Sequence, residues 1–145
     1  VITRAAVVAE ARTWLHTPWQ HGTALKGVAT DCIGLIGGVG KALGLPGGEA
    51  WENDPQFKGY GRTPDPVMLL AACDKYFDHV DVAGAGDIVV MRARGISQPT
   101  HFAIVSSVDP IYIIHSRLLH EVSENRLDKG LAALVLRAYR YRGVA

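Results

Sequence analysis

Residues 30–45 read TDCIGLIGGVGKALGL, and the fold turns on how this stretch is read. Ile33, Ile36, Val39 and Leu43 recur at three- and four-residue spacing, which predicts a helix with one apolar stripe from about residue 32 to 43. Gly44, with Pro46 and two more glycines behind it, marks its end. Yet Gly34, Gly37, Gly38 and Gly40 lie inside the stretch, and each costs about 1 kcal/mol relative to alanine in a helix. A helix that keeps them is held by tertiary packing and needs its backbone close to something, a sheet or a substrate. Cys32 stands at the first helical position. Unpaired amide donors and the helix dipole favour negative charge there, and the thiolate is the nucleophilic form of cysteine. Asp31 suits either a helix cap or a contact to a substrate amine. Taken alone, Cys32 fits a buried, inert thiol equally well.

On the N-terminal side, residues 4–15 place Ala5, Val8, Ala11, Trp14 and Leu15 near one helical face, with Thr3 as cap and Pro18 as stop. The segment TPWQHGTALKGVAT (17–30) reads as a loop. On the C-terminal side, residues 46–64 read as an irregular connection whose Trp51, Phe57 and Tyr60 anchor a surface loop. A third helix is predicted over 65–76, with Asp65 as cap and Pro66 in its first position. Then the period changes to two. GDIVVMR (86–92), HFAIVSS (101–107), PIYIIHS (110–116) and LAALVLRAYRY (131–141) read as strands, with short additions at HVDV and LLHEVS. Helices first and antiparallel strands later indicate an α+β fold, in one domain over 1–145.

The run HFAIVSSVDPIYIIHS (101–116) reads as a hairpin. Folded about residue 108, it sets His101 opposite His115, on the face shared by Ala103, Val105, Ile111 and Ile113, while Phe102 and Ile104 point into the core. Two imidazoles side by side suit a relay: His101 takes the proton of the Cys32 thiol, and His115 orients His101 and stabilises its charged form. Two plainer readings stand beside it. Either histidine can be a half-exposed packing residue. Cys32, His101 and His115, with Asp31 as a fourth ligand, can hold zinc, although no short-range ligand pair marks such a site; no metal and no cofactor is expected. His21 lies in the loop before Cys32 and can line a cleft. His16 has a weaker claim, and His79 and His120 read as surface residues. Cys73, on the apolar side of its helix, reads as core; a disulfide with Cys32 would remove the nucleophile.

Composition excludes some classes. The net charge of +1 and 20% charged residues call for no nucleic acid. Arg137, Arg140 and Arg142 alternate near the C-terminus as the solvated face of a strand. The longest apolar run, VMLLAAC (67–73), is far too short to span a bilayer, so no membrane insertion is expected. The first residues, bearing Arg4, Glu10 and Arg12, lack the apolar core of a signal peptide, and the chain reads as made in the cytoplasm and carried elsewhere by something else.

The ordered set ARTWLHTPWQHG, TDCIGLIGGVGKALGL, GDIVVMR, HFAIVSS and IIHS resembles the NlpC/P60 family of cell-wall cysteine peptidases over nearly the whole chain. It is most similar to the small peptidases encoded with phage tail and gene transfer agent genes. The resemblance implies a papain-like arrangement in which a helix bearing the nucleophile packs on an antiparallel sheet bearing the base, with the glycines serving close helix-to-sheet contact. It implies hydrolysis of amide bonds in peptidoglycan stem peptides, often between D-γ-glutamate and a diamino acid. Cys32 would attack, His101 would shuttle the proton and His115 would orient it. The backbone amide of Cys32 is a candidate oxyanion donor. The chain has Trp19 where many relatives have tyrosine, and Trp19 reads as an aromatic wall of the cleft. It has Ile33 where many have a serine that holds the substrate amine, which leaves Asp31 as the anionic contact, with His21 nearby. The implied setting is a phage or gene-transfer-agent tail, with a tail or baseplate hub protein as partner and action in the periplasm. Two rival functions are a structural or wall-binding hub component without turnover, and acyl transfer to a non-wall amine.

Overall fold

Helices lead and strands follow, as the change of period predicts. The computed structural model describes residues 1–54 and 65–145. The chain begins with α1 (Arg4–Arg12), a small antiparallel ribbon of β1 (Ala24–Leu25) and β2 (Ala29–Thr30), then α2 (Cys32–Ala42), α3 (Pro46–Asn53) and α4 (Pro66–Tyr76). After these come β3 (Phe77–Val80), β4 (Ile88–Arg92), β5 (Pro99–Val108), β6 (Ile111–Ser116), β7 (Val122–Arg126), the single turn α5 (Lys129–Ala132) and β8 (Val135–Tyr141). Strands β3 to β8 form one antiparallel sheet in the order β3-β8-β4-β5-β6-β7. β4 to β7 follow one another as a meander, and β8 returns to fill the place between β3 and β4.

The caps foreseen from sequence are formed. The Thr3 hydroxyl accepts from Ala6 N at 3.1 Å, Asp31 Oδ1 from Gly34 N at 2.7 Å and Asp65 Oδ1 from Val67 N at 2.8 Å. Gly44 follows α2 at φ +67°, a left-handed conformation that glycine adopts without strain.

The helices cover one face of the sheet. Val7 and Trp14, Leu35, Ile36 and Val39, Trp51 and Leu69 bury against Ile88, Val90, Phe102, Ile104, Ile114 and Tyr139. Cys73 joins this core, as read from its helix face, and both cysteines are free thiols. The opposite face of the sheet carries a smaller apolar cluster of Val89, Met91, Ala103, Val105, Ile113, Leu134 and Ala138.

Three expectations are corrected. Residues 46–53 of the segment read as irregular form α3, and Trp51 is a core residue at 1% exposure, its indole N–H donating to Ile33 O at 3.0 Å. Pro46 in the first turn suits a helix start, and the Trp51 ring, 5.1 Å from Phe77 and 5.6 Å from Phe102, holds a segment whose two glycines oppose helix formation. Phe57 and Tyr60 lie outside the described residues. The glycines of α2 do serve close packing, but chiefly against helices and indoles: a Cβ on Gly37 would lie 2.7 Å from Trp51 Cδ1, one on Gly38 would overlap the Trp14 ring, and one on Gly40 would meet Gly48 Cα at 2.8 Å. The C-terminal arginines are not simply solvated. Arg140 makes a two-pronged pair with buried Asp87 at 2.7 and 2.8 Å, and Arg142 bonds Asp78 and the Lys75 carbonyl at the end of α4.

Candidate active site

Cys32 sits at the N-terminus of α2, where the helix end meets the start of β5. Its thiol is half-buried. Burial first, and then the charge of Asp31, push it up to about 12, while the backbone N–H groups of Phe102, Ile33 and Cys32 itself pull the other way. The Phe102 contact brings the sulfur against the residue that follows His101.

His101 and His115 lie on one sheet face, with ring centroids 5.1 Å apart. The sequence reading of the pair is right about the face and wrong about the register. Ile104 pairs with Ile114 and Val105 with Ile113, and a bulge then shifts the ladder so that Ser107 pairs with Tyr112. The chain turns about Asp109 and Pro110 rather than residue 108, so the ladder, carried one step beyond Ile104–Ile114, sets His115 opposite position 103, and the two rings meet on the diagonal. His101 Nε2 and His115 Nδ1 are 2.9 Å apart.

The row continues into β7. His115 Nε2 lies 2.9 Å from Asn125 Oδ1, which also accepts from Ser123 Oγ at 2.6 Å. An amide oxygen only accepts, so His115 carries its hydrogen on Nε2 and its Nδ1 is the acceptor. His101 therefore donates from Nε2 and keeps its own Nδ1 as a lone-pair nitrogen. Burial, then the charges of His115 and Arg117, hold His101 down to about 3, and burial lowers His115 as well. Both shifts favour the uncharged forms, a thiol and a neutral imidazole that line one cavity. Asn125 is invisible in the sequence reading: the run VSENR pairs with β6 only through the sheet, and its polar pattern carries no periodic signal.

A cavity of about 450 Å³ opens here, bordered by Trp19, His21, Asp31, Cys32, Ile33, His101 and His115. All seven residues singled out from the sequence therefore converge on one cleft. Their engagements differ. Asp31 is buried, with Oδ1 on Gly34 N and Oδ2 on Gly22 N at 2.7 Å, so of its two readings the cap is the one seen. His21 Nδ1 is 4.0 Å from Asp31 Oδ2. Ile33 faces both cleft and core. Trp19 is fixed through its backbone, which donates to His120 O at 2.8 Å. His79 and His120 are exposed, as expected. The zinc alternative meets a chemical obstacle: both ring nitrogens of His115 are engaged, and among the described residues no group of three or more His, Cys, Asp or Glu side chains is arranged around a metal. Among the described residues no helix is long and apolar enough to cross a membrane.

No protein-family model and no curated protein matches the sequence. Solved structures do match the fold. An NlpC/P60 family protein from Bacillus cereus superposes with a TM-score of 0.66 at 18% identity, over 96% of this chain and 40% of that one. NlpC1 from Trichomonas vaginalis gives 0.65 at 18% identity, over 95% and 44%. The NlpC/p60 domain of the peptidoglycan hydrolase SagA gives 0.61 at 21% identity, over 95% of this chain and 98% of that domain. The chain thus spans less than half the length of the first two and nearly all of the third. Its fold is the α+β, papain-like architecture of the NlpC/P60 structures, with N-terminal helices packed on an antiparallel sheet.

Proposed function

We propose that the chain is a cysteine peptidase that hydrolyses amide bonds of peptidoglycan stem peptides, at the bond between D-γ-glutamate and a diamino acid. The observation that carries this reading is the hydrogen-bonded row His101–His115–Asn125, whose histidines line the same cavity as a half-buried thiol at a helix mouth. Cys32 Sγ attacks the scissile carbonyl carbon as His101 Nδ1 takes the thiol proton. His115 accepts from His101 Nε2 and spreads the new positive charge towards Asn125. The backbone N–H of Cys32 faces the developing oxyanion. The tetrahedral intermediate collapses, the C–N bond breaks, and His101 returns the proton to the leaving amine. Water, deprotonated by His101, then adds to the thioester, the C–S bond breaks to free the acid, and His101 returns the proton to Cys32 Sγ. Burial favours the uncharged form of both thiol and imidazole, so proton transfer accompanies attack in this mechanism.

The setting we propose is a phage-tail or gene-transfer-agent particle that opens the wall locally in the periplasm, bound to a tail or baseplate hub protein; the sequence resemblance supports it. The test of the chemistry is digestion of purified stem peptides by the wild type, Cys32→Ala and His101→Ala. The wild type alone should release the diamino acid fragment; equal digestion by all three sinks the assignment. Trp19 and Ile33, at positions where the resemblance expects tyrosine and serine, favour the second reading, a wall-binding component without turnover. That reading predicts binding to wall fragments with no cleavage by any of the three proteins.

A further inference from the structure

Among the described residues, the acidic and basic side chains that border the cleft, histidines aside, are Asp31, Arg92 and Arg117. Asp31 is buried and its oxygens are taken by the backbone amides of Gly22 and Gly34. Arg92 turns back on the carbonyls of Ala93 and Ile96, each at 3.4 Å. The Arg117 side chain makes no hydrogen bond or ion pair among the described residues, so its donors are open to whatever enters.

Arg117 is also well placed. It directly follows the last residue of β6, two positions after His115, and borders the same cleft as Ile113 and His115. Its charge is felt at both imidazoles. The turn that carries it is tied down, since His120 N donates to Arg117 O at 3.0 Å and Trp19 N donates to His120 O. Much of the remaining wall is apolar, with Met91, Ile96, Ile113, Leu118, Leu131 and Leu134. In such a cleft a few polar groups set orientation and choice of ligand, and a guanidinium fork matches a carboxylate on two hydrogen bonds.

Resting on the peptidase reading above, we infer that Arg117 binds a free carboxylate on the acyl side of the scissile amide and selects substrates that carry one there. A γ-linked glutamyl residue is such a group: its side-chain carboxyl forms the amide and its α-carboxylate stays ionised, a few bonds from the carbonyl under attack. The same residue with that carboxylate converted to a carboxamide offers no charge to Arg117 and competes poorly.

The experiment compares two synthetic peptides, L-Ala-γ-D-Glu-diamino acid and its α-carboxamide counterpart, with the wild type, Arg117→Gln and Arg117→Lys. The wild type should favour the carboxylate by about 10- to 100-fold in kcat/KM, as expected for a charge-assisted hydrogen bond, chiefly through KM. Arg117→Gln should reduce that ratio to near one, and Arg117→Lys, a point charge without the fork, should keep part of it. Equal cleavage of both peptides by the wild type overturns the inference and leaves the peptidase standing. A preference undiminished in Arg117→Gln overturns it too, because another group then reads the carboxylate. Cleavage of neither peptide by folded wild type removes the underlying reading and this one with it.

Discussion

On β5, Phe102 and Ile104 point under the helices, while His101, Ala103 and Val105 point to the other side. The helix-covered face is closed: Phe102 and Ile104 have no exposure, and Trp51 packs edge-on to the Phe102 ring. The opposite face is only partly covered. It keeps an apolar floor of Ala103, Val105 and Ile113, but His101 remains half-exposed beside an open cavity. One strand therefore anchors the fold through its even residues and offers chemistry through its odd ones. Position 102 joins the two, since its ring lies in the core while its backbone N–H favours the Cys32 thiolate. The lesson is that rigidity on one face fixes the position of groups on the other, which matters where an ångström decides a proton transfer.

Substitutions separate the two faces. The largest expected effect is on turnover: Cys32→Ala or His101→Ala should lower kcat by about ten-thousandfold or more, with melting temperature close to wild type. A loss of folding in step with the loss of activity would blur the division. Next comes the closed face. Phe102→Ala should cost about 3–5 kcal/mol of stability by opening a cavity among Trp51 and its neighbours, read by urea unfolding. Protein that remains folded should still cleave, because the backbone N–H at 102 is retained. Smaller again is Asn125→Leu, which removes the acceptor of His115 Nε2 and frees the ring to change tautomer. It should lower kcat by about 10- to 100-fold, the worth of one buried hydrogen bond, with KM little changed. Asn125→Asp, which keeps an acceptor and adds charge, should restore rate and move the acid limb of the pH profile upward. An unchanged profile in both variants would make Asn125 a bystander.

Much of this division is legible in the sequence. Period two over 101–107 and 111–116 places both histidines on one face and Phe102 on the other, because side-chain direction along a strand is a local property. The caps Thr3, Asp31 and Asp65 are legible for the same reason. What fails is whatever depends on partners distant in sequence. The place of the turn, at Asp109 and Pro110 rather than at residue 108, is not written in the period-two pattern, so the expected pairing of His101 with His115 misses by two residues. α3 begins Pro-Gly-Gly and looks like a breaker until Trp51 is seen seated in the core. Gly37 and Gly38 signal a close neighbour, and nothing local names the neighbour as two tryptophans. Asn125 enters the site only because β7 pairs with β6.

The most direct measurement of the central claim uses the two thiols. Cys32 borders the cleft and Cys73 is fully buried. The native protein is treated with iodoacetamide, the modified cysteine is mapped by mass spectrometry, and stem-peptide cleavage is assayed on the same samples. Label is expected on Cys32 while Cys73 stays protected, with activity falling in direct proportion to the fraction of Cys32 capped. Undiminished cleavage by protein whose Cys32 is fully alkylated would contradict it.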